Sequence, residues 1–362
     1  MATSEEPVAN RVNHPLDSDN TIFLDALEEE LRQLPSPFKP HTIFVGGGTP
    51  TELSDSDFAR LLDMVHRYVD LTHLVEWTCE SNPGTLTESK VDMLAPAGIN
   101  RVSLGVQSFQ PSSLEFLGRI HSAQEAIDGY HLLREQGVEN INLDLIFGVP
   151  GATRDMLISD IETMLNLQPD HTSCYNLMYE EGTPLTRMLN QKLIRPADSE
   201  EELEQYHLVR DRYREAGYMH YEISNFARPG RECRHNLLYW GAGEYIGCGP
   251  SAHSHWEGRR FSNVRNIKRY CDALLNHRSA CDFEERLEPE AKARESLVMG
   301  LRCLEGVNRT TFANSTGFDP ASLYTSEIDD LCAQGLLRNT EQVIALTEKG
   351  LFISDTVFAE LV

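Results

Sequence analysis

Three consecutive glycines follow an apolar segment and form a candidate ligand-binding loop. The run His41-Thr42-Ile43-Phe44-Val45 has the composition of a buried strand, and Gly46-Gly47-Gly48-Thr49-Pro50-Thr51 follows it directly. Glycine has no Cβ, so the backbone of such a loop can come close to a bound molecule. Polar residues at 54–56 supply N-cap candidates for a helix after the loop. The pattern predicts a strand–loop–helix unit that holds a small ligand, or a glycine-rich turn without one.

Polar side chains also stand where later predicted strands end. Glu80 ends the second strand, Gln107 follows the third, and Asp144 lies near the end of the fourth, while Arg119 stands in the loop between the last two. Each residue alone fits a helix cap or a surface salt bridge. Together on one rim, the carboxylates accept from an ammonium group or sugar hydroxyls, and the arginine binds a carboxylate. Such a set can hold an amino acid and a ribose.

A second candidate cluster is the segment Glu232-Cys233-Arg234-His235-Asn236-Leu237-Leu238-Tyr239-Trp240. The imidazole of His235 can provide an axial nitrogen to haem iron, and Tyr239 and Trp240 can provide flat apolar walls. The alternative is a buried, hydrogen-bonded histidine under an aromatic cluster. His253 and His255, just past the glycine-rich stretch 241–250, are rival ligands.

Alternating strands and helices position these residues. Strands are predicted at 41–46, 75–80, 101–106, 140–146 and 171–177, and helices at 21–34, 53–69, 86–96, 111–117, 122–136, 153–166, 184–192 and 199–217. This order predicts an α/β fold with a parallel sheet, either an open sheet or a full or partial (β/α) barrel. In both folds a ligand binds at the carboxyl ends of the strands. From about residue 290 the pattern changes to a helical, winged-helix-like region.

Composition narrows the classes of partner. The chain has 362 residues, with 56 acidic and 32 basic residues and a net charge of −24. This charge argues against nucleic acid and anionic membrane surfaces as partners. Without a membrane-length apolar run or an amino-terminal targeting pattern, the chain is expected to be cytoplasmic. Its 8 cysteines show no C-x-x-C spacing and are expected to be reduced.

In order along residues 20–362, six segments resemble the radical S-adenosylmethionine family of oxygen-independent coproporphyrinogen III oxidases and their haem-chaperone relatives. The segments are Gly46-Gly47-Gly48-Thr49-Pro50-Thr51, Glu80-Ser81-Asn82-Pro83, Arg101-Val102-Ser103-Leu104-Gly105-Val106-Gln107-Ser108-Phe109, Leu117-Gly118-Arg119-Ile120-His121, Asp144-Leu145-Ile146-Phe147-Gly148-Val149-Pro150-Gly151 and Tyr221-Glu222-Ile223-Ser224-Asn225-Phe226-Ala227. The resemblance implies a partial (β/α) barrel of parallel strands with a carboxyl-terminal helical domain.

The resemblance also assigns site residues by matching motif. It implies that S-adenosylmethionine is contacted by Gly47, Gly48, Thr49, Glu80, Gln107, Arg119 and Asp144. The segment 235–240 matches the H-N-x-x-Y-W signature with which the haem-chaperone branch binds haem, which implies His235, Asn236, Tyr239 and Trp240 as haem contacts, with His235 on the iron. The length of the chain also resembles that branch, since the oxidases carry a longer amino-terminal region.

One family feature is missing from the sequence. Members of the family have a strand leading into C-x-x-x-C-x-x-C, whose thiolates hold a 4Fe-4S cluster that reductively cleaves S-adenosylmethionine. The first cysteine here is Cys79, and Val8-Ala9-Asn10-Arg11 resembles the residues that follow the last cluster cysteine in relatives. Either the start codon is assigned too late or the member is degenerate. The barrel's first strand is then expected to be absent, with strand 41–46 at an unpaired edge.

Three functions follow as alternatives. The first is a haem chaperone that binds haem and transfers it to an acceptor protein. The second is an enzyme that oxidatively decarboxylates coproporphyrinogen III in porphyrin biosynthesis, and the third is a cluster-less, non-catalytic binding protein. The expected organisation is an irregular amino terminus at 1–19, a partial barrel at 20–235, a connecting region with the glycine loop at 236–289 and a helical domain at 290–362.

Overall fold

A computed structural model describes residues 17–361, with side chains from residue 20 onward. The segment 8–11 that was compared with the cluster region lies outside the described residues. No helix within the described part of the chain has the length and apolar character that a membrane crossing needs.

The main sheet contains the five predicted strands in parallel and in sequence order. They are β1 (Thr42–Val45), β2 (Glu76–Ser81), β3 (Arg101–Gln107), β4 (Ile141–Phe147) and β5 (His171–Asn176). The sheet curls into a half-barrel, as the fold class predicts. Within residues 17–361, β1 pairs with β2 alone, so it lies at one edge of the sheet.

Two short antiparallel strands extend the other edge, which the sequence pattern did not predict. They are β6 (Met219–Glu222) and β7 (Asn225–Ala227), in the sheet order β1-β2-β3-β4-β5-β7-β6. Strand β7 pairs with β5 through His171 and Ala227. The segment Tyr221–Ala227 therefore forms a hairpin at this edge of the half-barrel.

The helices of the α/β region lie close to their predicted positions. They are α1 (Asp17–Leu31), α2 (Asp55–Tyr68), α3 (Glu88–Ala97), α4 (Pro111–Phe116), α5 (Ala123–Glu135), α6 (Arg154–Leu167), α7 (Pro184–Asn190) and α8 (Ser199–Glu215). Ser54 caps α2 by accepting from the Asp57 amide. Helix α1 begins and ends earlier than the predicted 21–34. It ends early because the hydrogen bonds after that from Arg32 N to Glu28 O join residues only three positions apart, as in turns.

Side-chain alternation along the strands separates an apolar outer layer from a polar interior. Trp77, Cys79, Leu104 and Leu143 are buried in the main hydrophobic core between the sheet and its helices. The residues between them are polar and include Glu76, Thr78, Glu80, Arg101, Ser103, Asn142 and Asp144. The interior of the half-barrel is therefore lined by hydrogen-bonding groups, which suits a polar ligand better than a packed apolar core.

After the hairpin, one short helix and a small antiparallel sheet lead to the carboxyl-terminal region. Helix α9 (Arg234–Trp240) is followed by β8 (His253–Trp256), β9 (Arg259–Asn263), α10 (Ile267–Leu274) and β10 (Cys281–Arg286). The half-buried Glu30 of α1 accepts from the Gly249 amide at 2.7 Å and from the Tyr270 hydroxyl at 2.6 Å. These bonds fix the glycine-rich stretch and α10 against the first helix.

The carboxyl-terminal region is helical with a small antiparallel sheet, which agrees with the winged-helix-like prediction. Its elements are α11 (Pro289–Gly300), β11 (Val307–Asn308), α12 (Arg309–Thr316), α13 (Pro320–Leu323), α14 (Thr325–Ala333), β12 (Leu337–Asn339), β13 (Val343–Leu346), α15 (Glu348–Phe352) and α16 (Ser354–Ala359). Phe352 packs on Tyr206 of α8, and Cys303 pairs with Glu222 of β6.

Candidate functional site

The glycine loop after β1 is held on one side and open on the other. The Gly47 amide donates to Glu80 Oε2 at 3.0 Å, and Gly47 has a φ of +79°, which favours glycine. A Cβ on Gly46 would lie 2.6 Å from the Glu80 carboxyl group and 2.6 Å from the Phe44 ring. A Cβ on Gly47 or Gly48 would meet open space. The loop is therefore anchored to β2 and leaves room for a ligand above it.

Thr49 fixes the far side of the same loop. Its hydroxyl accepts from Asn82 Nδ2 at 2.7 Å, and Asn82 directly follows β2. Thr51, which is 1% exposed, bonds to the hydroxyl of Ser81 at 3.0 Å. These bonds between the ends of two parallel strands hold the loop in one position before any ligand arrives.

Two carboxylates face the interior near this loop. Burial raises the pKa of Glu80 and that of Asp144, and the charge of Asp144 raises the pKa of Glu80 further. The guanidinium of Arg101 opposes both increases. Asn142 Nδ2 donates to Asp144 Oδ1 at 2.7 Å. The pair concentrates negative charge at the strand ends, where it can receive an ammonium group or ribose hydroxyls.

Gln107 lies at the end of β3 in an unusual backbone conformation. Its φ of +70° accompanies an irregularity in the pairing of β3 with β4 between Leu104 and Gln107. A Cβ on Gly105 would lie 3.0 Å from Gln107 Nε2, so the amide side chain occupies the space that this glycine leaves. Gln107 therefore combines a strained backbone with an amide that lies over Gly105 near the end of β3.

Arg119 provides the cation on this rim. Burial lowers its pKa, while the negative charge of Asp144 raises it. Its Nε is buried and has no hydrogen-bond partner among the described residues. A half-buried guanidinium with a free donor can bind a ligand carboxylate. Loop space, two carboxylates, an amide and this guanidinium thus lie at one end of the sheet, where they offer acceptors for an ammonium group or hydroxyls and a donor for a carboxylate.

The residues do not fit a 4Fe-4S cluster. The 362-residue sequence contains no C-x-x-x-C-x-x-C segment. Within the described part of the chain, no three cysteine, histidine or acidic side chains converge as a metal site. Cys79, on β2, belongs to the hydrophobic core on the outer face of the sheet. No chemical step can therefore be assigned to a cluster from these residues.

The second candidate site is built around His235 in the first turn of α9. Thr42 Oγ1 lies 2.8 Å from its Nδ1, and the Tyr239 hydroxyl lies 2.9 Å from its Nε2. Burial lowers the pKa of His235 to about 4, with Arg101 acting in the same direction and Glu76 against it. The imidazole is therefore neutral near pH 7 and carries one lone pair, as an iron ligand must.

The other residues of this motif differ in how they contact His235 and its surroundings. The Tyr239 ring meets the His235 ring edge-on at 4.8 Å, and Asn236 is half-buried beside it in the first turn. Arg302 lies over the Trp240 ring at 4.3 Å, and Trp240 Nε1 is buried without a partner among the described residues. The rival ligands lie on β8, where His253 is exposed and His255 Nδ1 is 3.0 Å from the Gly243 carbonyl.

Several interior residues were missed by sequence reasoning. Glu76, Asn142, His171 and Arg101 all lie on the polar face of the central strands, and they are 3%, 1%, 0% and 2% exposed, respectively. The sequence could have identified these interior residues, because polar side chains occupy every second position of strands whose other positions are apolar. Phe44, which stacks on His235, carried no comparable signal.

Two family models match separate parts of the chain, and full-length relatives match most of it. The Radical SAM superfamily matches residues 10–164, and the HemN C-terminal domain matches residues 287–353. The haem chaperone HemW of Bacillus subtilis (strain 168) is 36% identical over 340 residues, which is 93% of this chain and 90% of the relative. HemW of Escherichia coli (strain K12) is 34% identical, over 85% of this chain and 80% of the relative.

A mammalian relative and one solved structure agree with these matches. A mitochondrial radical S-adenosyl methionine domain-containing protein 1 from Bos taurus is 30% identical, over 92% of this chain and 78% of its own. The coproporphyrinogen III oxidase HemN of Escherichia coli superposes with a TM-score of 0.83 at 21% identity, covering 96% of this chain and 84% of the other. At this identity the superposition establishes the shared fold.

Proposed function

The chain belongs to the HemW family of haem chaperones, within the radical SAM superfamily, and from that premise we propose that it binds haem beside α9 and transfers it to an acceptor protein. The observation that carries this proposal is the environment of His235. Its neutral imidazole lies in the H-N-x-x-Y-W segment of a chain that aligns with HemW over 93% of its length.

Haem is the cargo, and the residues of α9 supply the groups that it requires. His235 offers an imidazole nitrogen to the iron once the Tyr239 or Thr42 hydroxyl moves away from it. Tyr239 and Trp240 offer aromatic surface for the porphyrin, and Asn236 lies within the same first turn. Because both ring nitrogens of His235 are hydrogen-bonded in the haem-free chain, binding exchanges a hydroxyl contact for the bond to iron.

The rim of the half-barrel is the proposed site for S-adenosylmethionine. Gly47, Gly48 and Thr49 form the loop that borders this site. Glu80 and Asp144 accept hydrogen bonds from the ammonium and hydroxyl groups of the cofactor, and Arg119 pairs with the carboxylate of the cofactor. Gln107 donates or accepts a hydrogen bond inside the half-barrel. In the radical SAM family this cofactor supplies a carbon radical when it is cleaved beside a reduced cluster. Without the cluster cysteines in this sequence, these residues are proposed only to bind it.

A haem-transfer experiment tests the proposal. The chain is loaded with haem, freed of excess, and mixed with an apo haem protein such as apomyoglobin, and the Soret band is followed. We expect haem to move to the acceptor faster than it is released to buffer. A His235→Ala chain should load and deliver less haem. Release to buffer at the same rate as to the acceptor would contradict transfer.

The oxidase alternative is tested in parallel. Anaerobic incubation with coproporphyrinogen III, S-adenosylmethionine and a reductant is followed by analysis of the porphyrin products. The proposal predicts unchanged substrate, whereas turnover into decarboxylated product would favour the enzyme.

The acidic composition, with a net charge of −24, leads us to expect an acceptor protein rather than a nucleic acid as partner.

A further inference from the structure

The first turn of α9 has no cap from its own sequence. Its N-cap residue is Cys233, whose side chain caps no backbone amide. Three amides at this end are instead bound by side chains from the half-barrel. Glu76 accepts from Arg234 N at 2.9 Å and from His235 N at 3.0 Å, and the Tyr221 hydroxyl accepts from Cys233 N at 3.2 Å. The position of His235 is therefore set by the interior of the barrel.

The Tyr221 hydroxyl continues into a chain of buried hydrogen bonds. It lies 2.8 Å from His171 Nε2, and His171 Nδ1 lies 2.6 Å from Asn142 Oδ1. Asn142 Nδ2 then donates to Asp144 Oδ1 at 2.7 Å and to the Ser103 hydroxyl at 2.7 Å. The series Asp144, Asn142, His171 and Tyr221, called here the interior relay, runs from the rim of the barrel to the start of α9.

The donors and acceptors of the interior relay can be assigned in only one direction while Asp144 is ionised. A carboxylate only accepts, so Asn142 must present its amide nitrogen to Asp144 and its oxygen to His171. His171 then carries its proton on Nδ1, and its Nε2 accepts from the Tyr221 hydroxyl. Burial and Arg101 lower the pKa of His171, which keeps the ring neutral. The oxygen of Tyr221 remains available to the Cys233 amide.

We infer that His171 and Tyr221 are positioning residues that transmit the hydrogen-bonding state of Asp144 to the first turn of α9. This inference rests on the proposed function for its link to haem, because α9 carries His235. Loss of the acceptor at 144 frees the Asn142 amide to rotate, which removes the constraint on the His171 tautomer. Tyr221 then loses its fixed acceptor, and its bond to the Cys233 amide weakens.

Hydrogen–deuterium exchange of the haem-free chain tests the positioning role. The peptide spanning 230–242 is compared in the parent, in Tyr221→Phe, in Asp144→Ala and in the double variant. We expect exchange at the start of α9 to rise about tenfold in Tyr221→Phe, since a buried amide loses its acceptor. Asp144→Ala should raise it less and should add nothing in the double variant. Asp144→Ala probes the interior relay independently if Tyr221→Phe does not fold.

Tyr218→Phe is the matched control. It removes a buried tyrosine hydroxyl that donates to the Pro169 carbonyl at 2.6 Å and takes no part in the interior relay. Exchange in 230–242 should match the parent in this variant. Unchanged exchange in Tyr221→Phe, an equal rise in Tyr218→Phe, or additive effects in the double variant would each overturn the inference.

Haem titration of the same variants separates this inference from the proposed function. We expect the affinity for haem to fall in Tyr221→Phe and in Asp144→Ala, and to stay at the parent value in Tyr218→Phe. A parent that binds no haem would refute the proposed function, while the exchange data would still decide the positioning role. A loosened α9 with parent-like haem affinity would refute the link to haem and leave the proposed function standing.

Discussion

The rings of His235 and Phe44 stack face to face, with centroids 5.2 Å apart and planes at 25°. Phe44 belongs to β1, and its ring also reaches the position where a Cβ of Gly46 would lie, next to the Glu80 carboxyl group. One aromatic side chain thus lies between His235 of α9 and the glycine loop. The two candidate sites face the same half-barrel interior and are separated by little more than this ring.

The charge of Glu80 should be required for binding S-adenosylmethionine. Glu80→Gln keeps the size of the side chain and an oxygen for the Gly47 amide but removes the carboxylate. A hydrogen bond to a charged group contributes about 1.5–3 kcal/mol, so we expect the affinity measured by calorimetry to fall about tenfold or more. Glu88→Gln, at an exposed position of α3, is the control. Equal affinity in Glu80→Gln and the parent would contradict the assignment.

The glycine loop should respond differently to a methyl group at two neighbouring positions. A Cβ on Gly48 meets open space, so Gly48→Ala should melt within about 2 °C of the parent while it weakens S-adenosylmethionine binding. A Cβ on Gly46 collides with Glu80 and Phe44, so Gly46→Ala should lose about 1–3 kcal/mol of stability.

Thermal melting and calorimetry on both variants check this pair of predictions. Full affinity for S-adenosylmethionine in Gly48→Ala would show that the open space is not the ligand site.

Much of the fold could be predicted because the signal lies in single segments. Apolar strands with caps and loops between them gave the five parallel strands, their order and the helices that follow. The rim residues could be predicted for the same reason, since parallel strands place their carboxyl ends together. Glu80, Gln107 and Asp144 needed no knowledge of packing beyond that rule.

The surroundings of His235 could not be predicted in the same way. Its partners Thr42 and Phe44 are about 190 residues earlier in the chain. Glu76, which caps the helix that carries His235, is 159 residues before it. The edge hairpin was also missed, because β6 and β7 have only 4 and 3 residues and little periodicity. Contacts of this kind depend on how the hairpin and α9 fold back over the sheet.

Anaerobic reconstitution with iron and sulfide should leave the 362-residue chain without a stoichiometric 4Fe-4S cluster. The reason is the missing C-x-x-x-C-x-x-C segment, since the remaining cysteines are distributed over separate elements. Iron and sulfide analysis together with the visible absorbance spectrum provides the measurement. Addition of a family cysteine segment before Val8 is expected to restore the cluster. Stoichiometric iron and sulfide with a cluster-like absorbance in the unextended chain would refute the prediction.

Acid should destabilise the chain through His220. Burial lowers the pKa of this histidine from 6.5 to about 4 in the folded state, where its ring stacks on Phe226 at 4.3 Å. Between these values the unfolded chain binds a proton that the folded chain does not. Stability is therefore full above about pH 6.5 and declines toward pH 4, by on the order of 2–3 kcal/mol from this residue.

Urea unfolding at pH 7 and pH 5 checks the prediction for His220. His220→Phe keeps an aromatic ring for the stack and should show a smaller loss of stability between the two pH values than the parent. His131→Phe, at an exposed position of α5, is the control and should lose as much as the parent. An equal loss in the parent and in His220→Phe would assign the acid sensitivity to other groups.

Haem titration of His235→Ala beside His253→Ala tests the central claim most directly. We predict that the parent and His253→Ala bind haem with the same Soret position and affinity, while His235→Ala shows a shifted Soret band and an affinity at least about tenfold lower, because an axial ligand is lost. If His235→Ala instead keeps both properties and His253→Ala loses them, the ligand lies on β8. If the parent itself binds no haem, the account of this chain as a haem chaperone is contradicted.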